Sequence, residues 1–170
     1  TGAEFINIPV RPDWTDSREI LGYERLDGTF VPGRLLQVAR DATEHPEKQF
    51  FVMLDEMNIA RVEYYLAEVL SHIEERFRVD GRVQTKPISP ARNDPKWRDV
   101  LLPSNVCIVG SVNMDESTQS FSKKVLDRSF VIEFSDIDLS AIGSTVRSVQ
   151  KPAPWAASDW AQQYLTLAEY

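Results

Sequence analysis

Two adjacent acidic residues, Asp55 and Glu56, directly follow the apolar run FFVML at residues 50–54. An unbroken apolar run of this length is typical of a strand covered on both faces of a parallel sheet. The side chains of adjacent residues at the end of such a strand point to opposite faces of the sheet. One carboxylate can therefore hold Mg²⁺, generally through water, while the other polarises an attacking water. The alternative is that the pair stabilises the N-terminus of the following helix.

A neutral amide, Asn113, follows a second apolar run, VCIVGSV at residues 106–112. Ligands of doubly wound sheets bind beyond the carboxyl ends of the strands, so we expect Asn113 at the same edge as the acidic pair. An amide there could orient a lytic water or contact a terminal phosphate without adding charge. The alternative is an ordinary turn residue, because asparagine is common where strands end.

A basic segment containing Arg128 precedes a further apolar run, FVIEF at residues 130–134, which predicts a fourth strand. An arginine at this point could reach the nucleotide of a neighbouring subunit and neutralise charge in the transition state. The alternative is a surface arginine that pairs with Asp127 or Glu133. The spacing favours neither over the other.

The remaining patterns predict the elements that position these residues. A β-rich apolar run predicts a first strand, residues 11–34 read as a structured loop region, and Asp80-Gly81 indicates a hairpin. Strands that alternate with helices predict an α/β fold with a mostly parallel sheet. The predicted strands are residues 4–10, 50–54, 106–112 and 130–134, and the predicted helices are residues 33–44, 58–78 and, more weakly, 155–167.

Composition excludes several classes of protein. The formal net charge of −7 argues against a nucleic-acid-binding surface over the whole domain. The single cysteine, Cys107, excludes an internal disulfide framework and a multi-cysteine zinc site, and its apolar surroundings predict a buried, reduced thiol. A reduced thiol is typical of a cytoplasmic protein. No apolar stretch is long enough to span a bilayer, so we expect no membrane partner.

In this order, the segments resemble the AAA+ domain of the McrB-like restriction GTPase family, with a looser similarity to MoxR-type ATPases. The combination of LDEMN, a G-x-V-N strand and LDR before a strand is more specific than any of the three alone. The similarity covers most of residues 4–134. It is carried by residues 12–23, 50–74, 102–117 and 121–134.

The resemblance implies a role for each site residue. Asp55 and Glu56 become the Walker B pair, with Asp55 in the magnesium shell and Glu56 activating water. Asn58 becomes a neighbour of the nucleotide, Asn113 the sensor 1 residue and Arg128 the candidate arginine finger. The implied cofactors are Mg²⁺ and either GTP or ATP.

The implied fold is a partial P-loop NTPase of the AAA+ type, a three-layer sandwich. Residues 1–145 would form the AAA+ core, and residues 146–170 would form a linker or the start of a helical lid. The motif G-x-x-x-x-G-K-[ST] is absent from the sequence. We therefore expect the chain to begin after the phosphate-binding loop, which would also remove the central first strand and leave residues 130–134 without their usual neighbour.

The expected function is that of a nucleotide-hydrolysing motor subunit that forms a ring and acts on DNA with a partner nuclease. The stretch VNMDES departs from the M-N-x-x-D-R signature that accompanies guanine-nucleotide use in this family, because Val112 replaces Met and no Asp-Arg pair follows. The choice between GTP and ATP therefore stays open. Two alternatives also stay open: a non-catalytic interaction module and a MoxR-like chaperone ATPase. We expect the 170-residue chain alone to be inactive, because it lacks the phosphate-binding amides and lysine.

Overall fold

The computed structural model describes residues 3–113 and 118–134. This part of the chain contains both strands and helices. The strands are β1 (Ala3–Pro9), β2 (Gly22–Glu24), β3 (Phe30–Pro32), β4 (Gln49–Asp55), β5 (Phe77–Val79), β6 (Arg82–Pro87), β7 (Leu101–Pro103) and β8 (Val106–Gly110). The helices are α1 (Arg18–Leu21), α2 (Arg34–Glu44), α3 (Val62–Tyr65), α4 (Ala67–Glu74) and α5 (Lys123–Leu126), with a 3₁₀ turn at Met57–Ile59.

The main sheet is parallel and has the strand order β1-β4-β8. Its central strand, β4, is the run of apolar residues before the acidic pair, and Val52 and Leu54 on it are fully buried. The strands predicted at residues 4–10, 50–54 and 106–112 are thus confirmed. The chain is an α/β protein with a mostly parallel main sheet, an arrangement compatible with a P-loop-like fold.

Helix α2 covers the sheet with one apolar side, as its three- and four-residue spacing predicts. It contacts both β4 and β7 and confirms the helix predicted at residues 33–44. Its N-terminus follows Gly33, where a β-carbon would lie 2.3 Å from the backbone of Ile20. The close approach of α1 to the start of α2 therefore requires glycine. The buried residues of α2 are Leu35, Leu36, Val38, Ala39 and Ala42.

The end of α2 is held by the side chain of Asn105, which lies just before β8. The Asn105 Nδ2 lies 2.9 Å from the carbonyl oxygen of Ala42, 3.2 Å from that of His45 and 2.9 Å from that of Lys48. The last carbonyl groups of a helix have no partner within the helix, so this buried amide gives the carbonyl of Ala42 in α2 a donor. It also fixes the loop that leads into β4.

Residues 11–34 contain more regular structure than the loop region predicted for them. Helix α1 and an antiparallel β2–β3 hairpin form there. Trp14 in this region is buried, with its ring centroid 5.3 Å from that of Tyr65 in an edge-on arrangement. Trp14 therefore packs this region against the core.

The single long helix predicted at residues 58–78 is wrong. The segment begins as a 3₁₀ turn, and the helix that follows is interrupted at Leu66, whose φ of −100° and ψ of 3° lie outside the helical range. Beyond α4, Phe77–Val79 pairs with β6 around Asp80 and Gly81, both of which have positive φ. The last residues of the periodic pattern, from Phe77 onward, therefore lie in the predicted hairpin and not in the helix.

The fourth strand predicted at residues 130–134 is also wrong. These residues form no strand, and their side chains are open to solvent, with Phe130 91% and Phe134 86% exposed. A strand is stable only when a neighbour pairs with its backbone. In the described part of the chain, the sheet places no strand beside this segment, so its apolar composition does not lead to a strand.

Three further predictions have different outcomes. The Cys107 thiol on β8 is half-buried rather than buried, and this burial raises its pKa. The predicted helix at residues 155–167 and the second unit at residues 146–170 lie outside the described residues. Among residues 3–113 and 118–134, no helix combines the length and apolarity needed to cross a membrane.

We predict that Asn105→Ala lowers the free energy of unfolding by about 2 kcal/mol, because it removes the buried donor to the carbonyl of Ala42 and the two part-buried bonds to His45 and Lys48. Chemical denaturation of the purified chain measures this change. The matched control is Asn93→Ala, at an exposed asparagine, which should change stability by less than about 0.5 kcal/mol. Equal effects of the two substitutions would contradict the role given to Asn105.

Candidate functional site

The acidic pair lies at the carboxyl edge of the parallel sheet. Asp55 is the last residue of β4, and its backbone oxygen accepts a hydrogen bond from Val10 N at 3.0 Å. Glu56 adopts the left-handed conformation, with φ 52° and ψ 48°, and precedes the 3₁₀ turn. This conformation is unfavourable for a residue with a side chain and is found mainly where the surroundings impose it. The two carboxylates therefore leave the strand in different directions.

Ser111 lies between the two acids. Its hydroxyl donates to Asp55 Oδ1 at 2.8 Å and accepts a hydrogen bond from the backbone N–H of Glu56, also at 2.8 Å. Ser111 follows Gly110, which pairs with Leu54 in the parallel register. The sequence motifs do not indicate Ser111. The signal that could have found it is the register itself, which sets the first residue after β8 opposite the last residue of β4.

The structure brings the predicted residues Glu56 and Asn113 into contact. The side-chain amide of Asn113 donates to Glu56 Oε1 at 3.3 Å, and both side chains are exposed. We call the carboxyl edge of the sheet formed by Asp55, Glu56, Ser111 and Asn113 the rim. The backbone oxygen of Asn113 accepts hydrogen bonds from Asn58 Nδ2 at 2.8 Å and from Thr118 Oγ1 at 2.9 Å. An acid that can polarise water and an amide that can orient it thus meet above one edge of the sheet.

Asn58 supports this rim from below. Its side chain is only 1% exposed, and its backbone oxygen accepts a hydrogen bond from Gln119 N at 2.8 Å. Since its side chain also donates to Asn113, Asn58 holds the chain at both Asn113 and Gln119. The Asn58 Oδ1 is buried and has no hydrogen-bond partner in the described residues. These contacts fit a residue that positions the site, and direct contact of Asn58 with a cofactor stays a prediction.

The turn after Glu56 is packed from two sides. Tyr65 donates its hydroxyl to the backbone oxygen of Met57 at 2.9 Å, and burial raises the pKa of Tyr65, so the hydroxyl stays protonated over the usual pH range. On the other side, a β-carbon on Gly110 would lie 1.9 Å from Met57 Sδ. The glycine of the G-x-V-N motif therefore leaves the space that the Met57 side chain occupies.

The contacts of Arg128 are with residues other than Glu56, Asn58 and Asn113. Its guanidinium forms an ion pair with Glu74 at the end of α4 and donates to the backbone oxygen of Lys124. The side chain is 18% exposed. The partner is thus neither of the two acids considered from the sequence, Asp127 and Glu133, and the structure places no hydrogen bond between Arg128 and the rim residues.

The donor set at the rim fits Mg²⁺ only in part. Residues 3–113 and 118–134 contain no group of three or more His, Cys, Asp or Glu side chains that could hold a metal ion. Mg²⁺ is commonly bound through one or two carboxylates, with water and substrate phosphates completing its octahedral shell. Asp55 could be such a carboxylate, so the residues fit an ion that arrives with a nucleotide and not a site made of protein ligands alone.

No protein-family model matches the chain. The chain is 30% identical, over 119 residues, to the type IV methyl-directed restriction enzyme EcoKMcrB subunit of Escherichia coli strain K12. The similarity supports a McrB-like AAA+ relationship. The aligned residues make up 70% of this chain but only 23% of that protein, so the chain spans about a quarter of the length of the curated relative it matches.

The left-handed conformation of Glu56 leads to a stability prediction. We expect Glu56→Gly to be more stable than Glu56→Ala by about 1 kcal/mol, because only glycine adopts this conformation without steric cost. Thermal or chemical denaturation of the two variants measures the difference. At Asp41, which lies exposed within α2, the order should reverse, with alanine more stable than glycine. The same order at both positions would contradict the conformation assigned to Glu56.

Proposed function

We propose that this chain supplies the magnesium- and water-handling half of the nucleotide site of a McrB-like AAA+ NTPase. The observation that supports this most strongly is the contact between Glu56 and Asn113 at 3.3 Å, at the carboxyl edge of a parallel sheet. This edge is where ligands of doubly wound sheets bind. An acid and an amide in contact, both exposed, suit the orientation of a water for attack on a terminal phosphate.

Each rim residue has a distinct role in this proposal. Glu56 polarises the attacking water and takes up its proton, while Asn113 donates its amide hydrogen to that water or to the terminal phosphate. Asp55 would hold Mg²⁺. When bound, the ion would neutralise charge on the phosphates. The reaction is an in-line displacement of the nucleoside diphosphate by water.

The phosphate-binding half is not among the 170 residues, since they contain no G-x-x-x-x-G-K-[ST]. The backbone amides and lysine of that motif provide most of the binding energy for the β- and γ-phosphates. The proposed fold is therefore a partial P-loop sandwich, with the AAA+ core in residues 1–145 and a linker or lid in residues 146–170. Turnover requires a phosphate-binding loop from other residues of the parent protein.

The wider role that we propose is that of a ring-forming motor subunit of a DNA restriction system, with a partner nuclease. It is supported by the similarity to a methyl-directed restriction enzyme subunit. Within this proposal, Arg128 acts on the nucleotide of a neighbouring subunit, which requires its ion pair with Glu74 to open. The nucleotide is GTP or ATP.

A non-catalytic interaction module is the second candidate. Two observations favour it: the missing phosphate-binding motif and the exposed apolar side chains of residues 130–134. Exposed apolar side chains that are contiguous in a chain are a frequent feature of contact surfaces. In that case the acid–amide contact would be an inherited feature of the fold with no turnover attached to it.

We predict that the purified 170-residue chain hydrolyses neither GTP nor ATP above the buffer background. The physical reason is that the Asp55–Glu56 rim provides no amide cradle for the triphosphate. Release of inorganic phosphate with Mg²⁺ present measures this, and a Glu56→Gln preparation purified in parallel reports contaminating hydrolases. Phosphate release that Glu56→Gln abolishes would refute the prediction.

In the full-length protein, Glu56→Gln should lower kcat for nucleotide hydrolysis by at least about 100-fold, because the amide cannot take up the proton of the attacking water. Nucleotide affinity, measured by equilibrium binding, should change little. The matched control is Glu68→Gln on the exposed side of α4, which should retain turnover. A Glu56→Gln protein with normal turnover would exclude the proposed function.

A further inference from the structure

Ser111 makes a set of hydrogen bonds that no other described residue of the rim makes. Its backbone N–H donates to Leu54 O at 3.0 Å, and its backbone oxygen accepts from Met57 N at 2.9 Å. Its hydroxyl donates to Asp55 Oδ1 and accepts from Glu56 N, each at 2.8 Å. Four consecutive residues of the acidic segment are therefore each hydrogen-bonded to this one serine.

We propose that Ser111 is a positioning residue for the acidic pair, acting through its hydroxyl. This inference rests on the proposed function for its kinetic consequence, but not for its structural one. The hydroxyl has one donor and two acceptor sites, and it uses both kinds here. A side chain that only donates or only accepts could not satisfy Asp55 and Glu56 together.

The bond to Asp55 sets the orientation of the carboxylate that would face the magnesium shell. A carboxylate with one oxygen hydrogen-bonded cannot rotate freely, so the hydroxyl limits the orientation in which Asp55 would present its oxygens to Mg²⁺. Hydrogen bonds to an ionised acceptor are among the strong ones in proteins. Loss of this bond frees the carboxylate to turn, which weakens the response to Mg²⁺.

The bond from Glu56 N stabilises an unfavourable backbone conformation. A left-handed residue with a side chain persists only where its surroundings fix it, and the hydroxyl of Ser111 provides an acceptor at that position. This conformation directs Glu56 towards Asn113 while Asp55 remains on the strand. The serine thus holds the two acidic side chains in different positions, as their two proposed roles require.

The structural part of the proposal is tested by amide hydrogen exchange in the full 170-residue chain, followed by NMR. We expect the Glu56 amide to exchange at least about tenfold faster in Ser111→Ala than in the unchanged chain, since its acceptor is gone. Ser111→Thr keeps a hydroxyl and should keep the protection. The control is Ser89→Ala, which removes a half-buried hydroxyl that accepts from Ala91 N and should leave Glu56 unchanged.

Unchanged protection of the Glu56 amide in Ser111→Ala would overturn the proposal. If Ser111→Ala does not fold, Ser111→Cys gives the same test, because a thiol is a weak donor and acceptor of nearly the same size. Faster amide exchange throughout the sheet, and not mainly at Glu56, would also overturn the proposal. A serine that only stabilises the fold would give that result.

The functional part is tested in the full-length protein with GTP or ATP and a series of Mg²⁺ concentrations. Ser111→Ala should lower kcat about tenfold and raise the Mg²⁺ concentration for half-maximal turnover several-fold, with KM for nucleotide little changed. Ser111→Thr should restore most of the turnover.

The outcomes separate the two proposals. If Glu56→Gln abolishes turnover and Ser111→Ala leaves kcat and the Mg²⁺ response unchanged, the positioning role fails while the proposed function stands. If Glu56→Gln does not affect turnover, the proposed function fails, and the exchange experiment still decides the structural role of Ser111.

Discussion

The parallel pairing of β4 with β8 is the constraint on which the candidate site depends. Leu54 lies opposite Gly110 in this register, so the residues that follow each strand leave the sheet side by side. Parallel strands end at the same edge, whereas antiparallel neighbours would put the acids and the amide at opposite edges. A shift of one residue in this pairing would separate Ser111 from Asp55 and turn alternate side chains to the other face.

Buried polar groups beside the sheet maintain this register. Asn105 fixes the end of α2 to the segments before β4 and β8, and Asn58 links the turn after β4 to the chain after β8. Such groups are costly when unpaired, so alternative arrangements that break their hydrogen bonds are disfavoured. The apolar contacts favour a compact α/β core, and the hydrogen bonds of these two amides add a preference for the observed arrangement.

The parts of the fold that the sequence predicts are those determined locally or by unbroken apolar runs. β1, β4, β8 and α2 follow from apolar patterning, and the hairpin at Asp80-Gly81 follows from turn chemistry. The proximity of Glu56 and Asn113 follows from the rule that parallel strands share a carboxyl edge. These predictions do not depend on knowing which residues, distant in the sequence, pair with each other in the fold.

Most of the features that the sequence did not predict depend on a partner. Residues 130–134 have the composition of a strand, but a strand requires a neighbour beside it, and none lies there in the described part of the chain. The periodic pattern at residues 58–78 cannot show that its last residues pair with β6. Ser111 and Asn105 act through hydrogen bonds to residues more than 50 positions away. Only the strand register and the loop geometry reveal these contacts.

The residues proposed to act within the chain and the arginine proposed to act between subunits differ in the contacts that they make. Asp55, Glu56, Ser111 and Asn113 already contact one another, whereas Arg128 is paired with Glu74 and the apolar residues after it are exposed. An arginine that serves a neighbouring subunit must leave such a pair, and the new contacts must offset the loss. Residues 130–134 begin two positions after Arg128, so under the role proposed for Arg128 the burial of their apolar side chains at a subunit contact would offset the loss of the Glu74 pair. Under that proposed role, association and not nucleotide alone would set the position of Arg128, because the contacts of Glu56 with Ser111 and Asn113 are already formed within one chain.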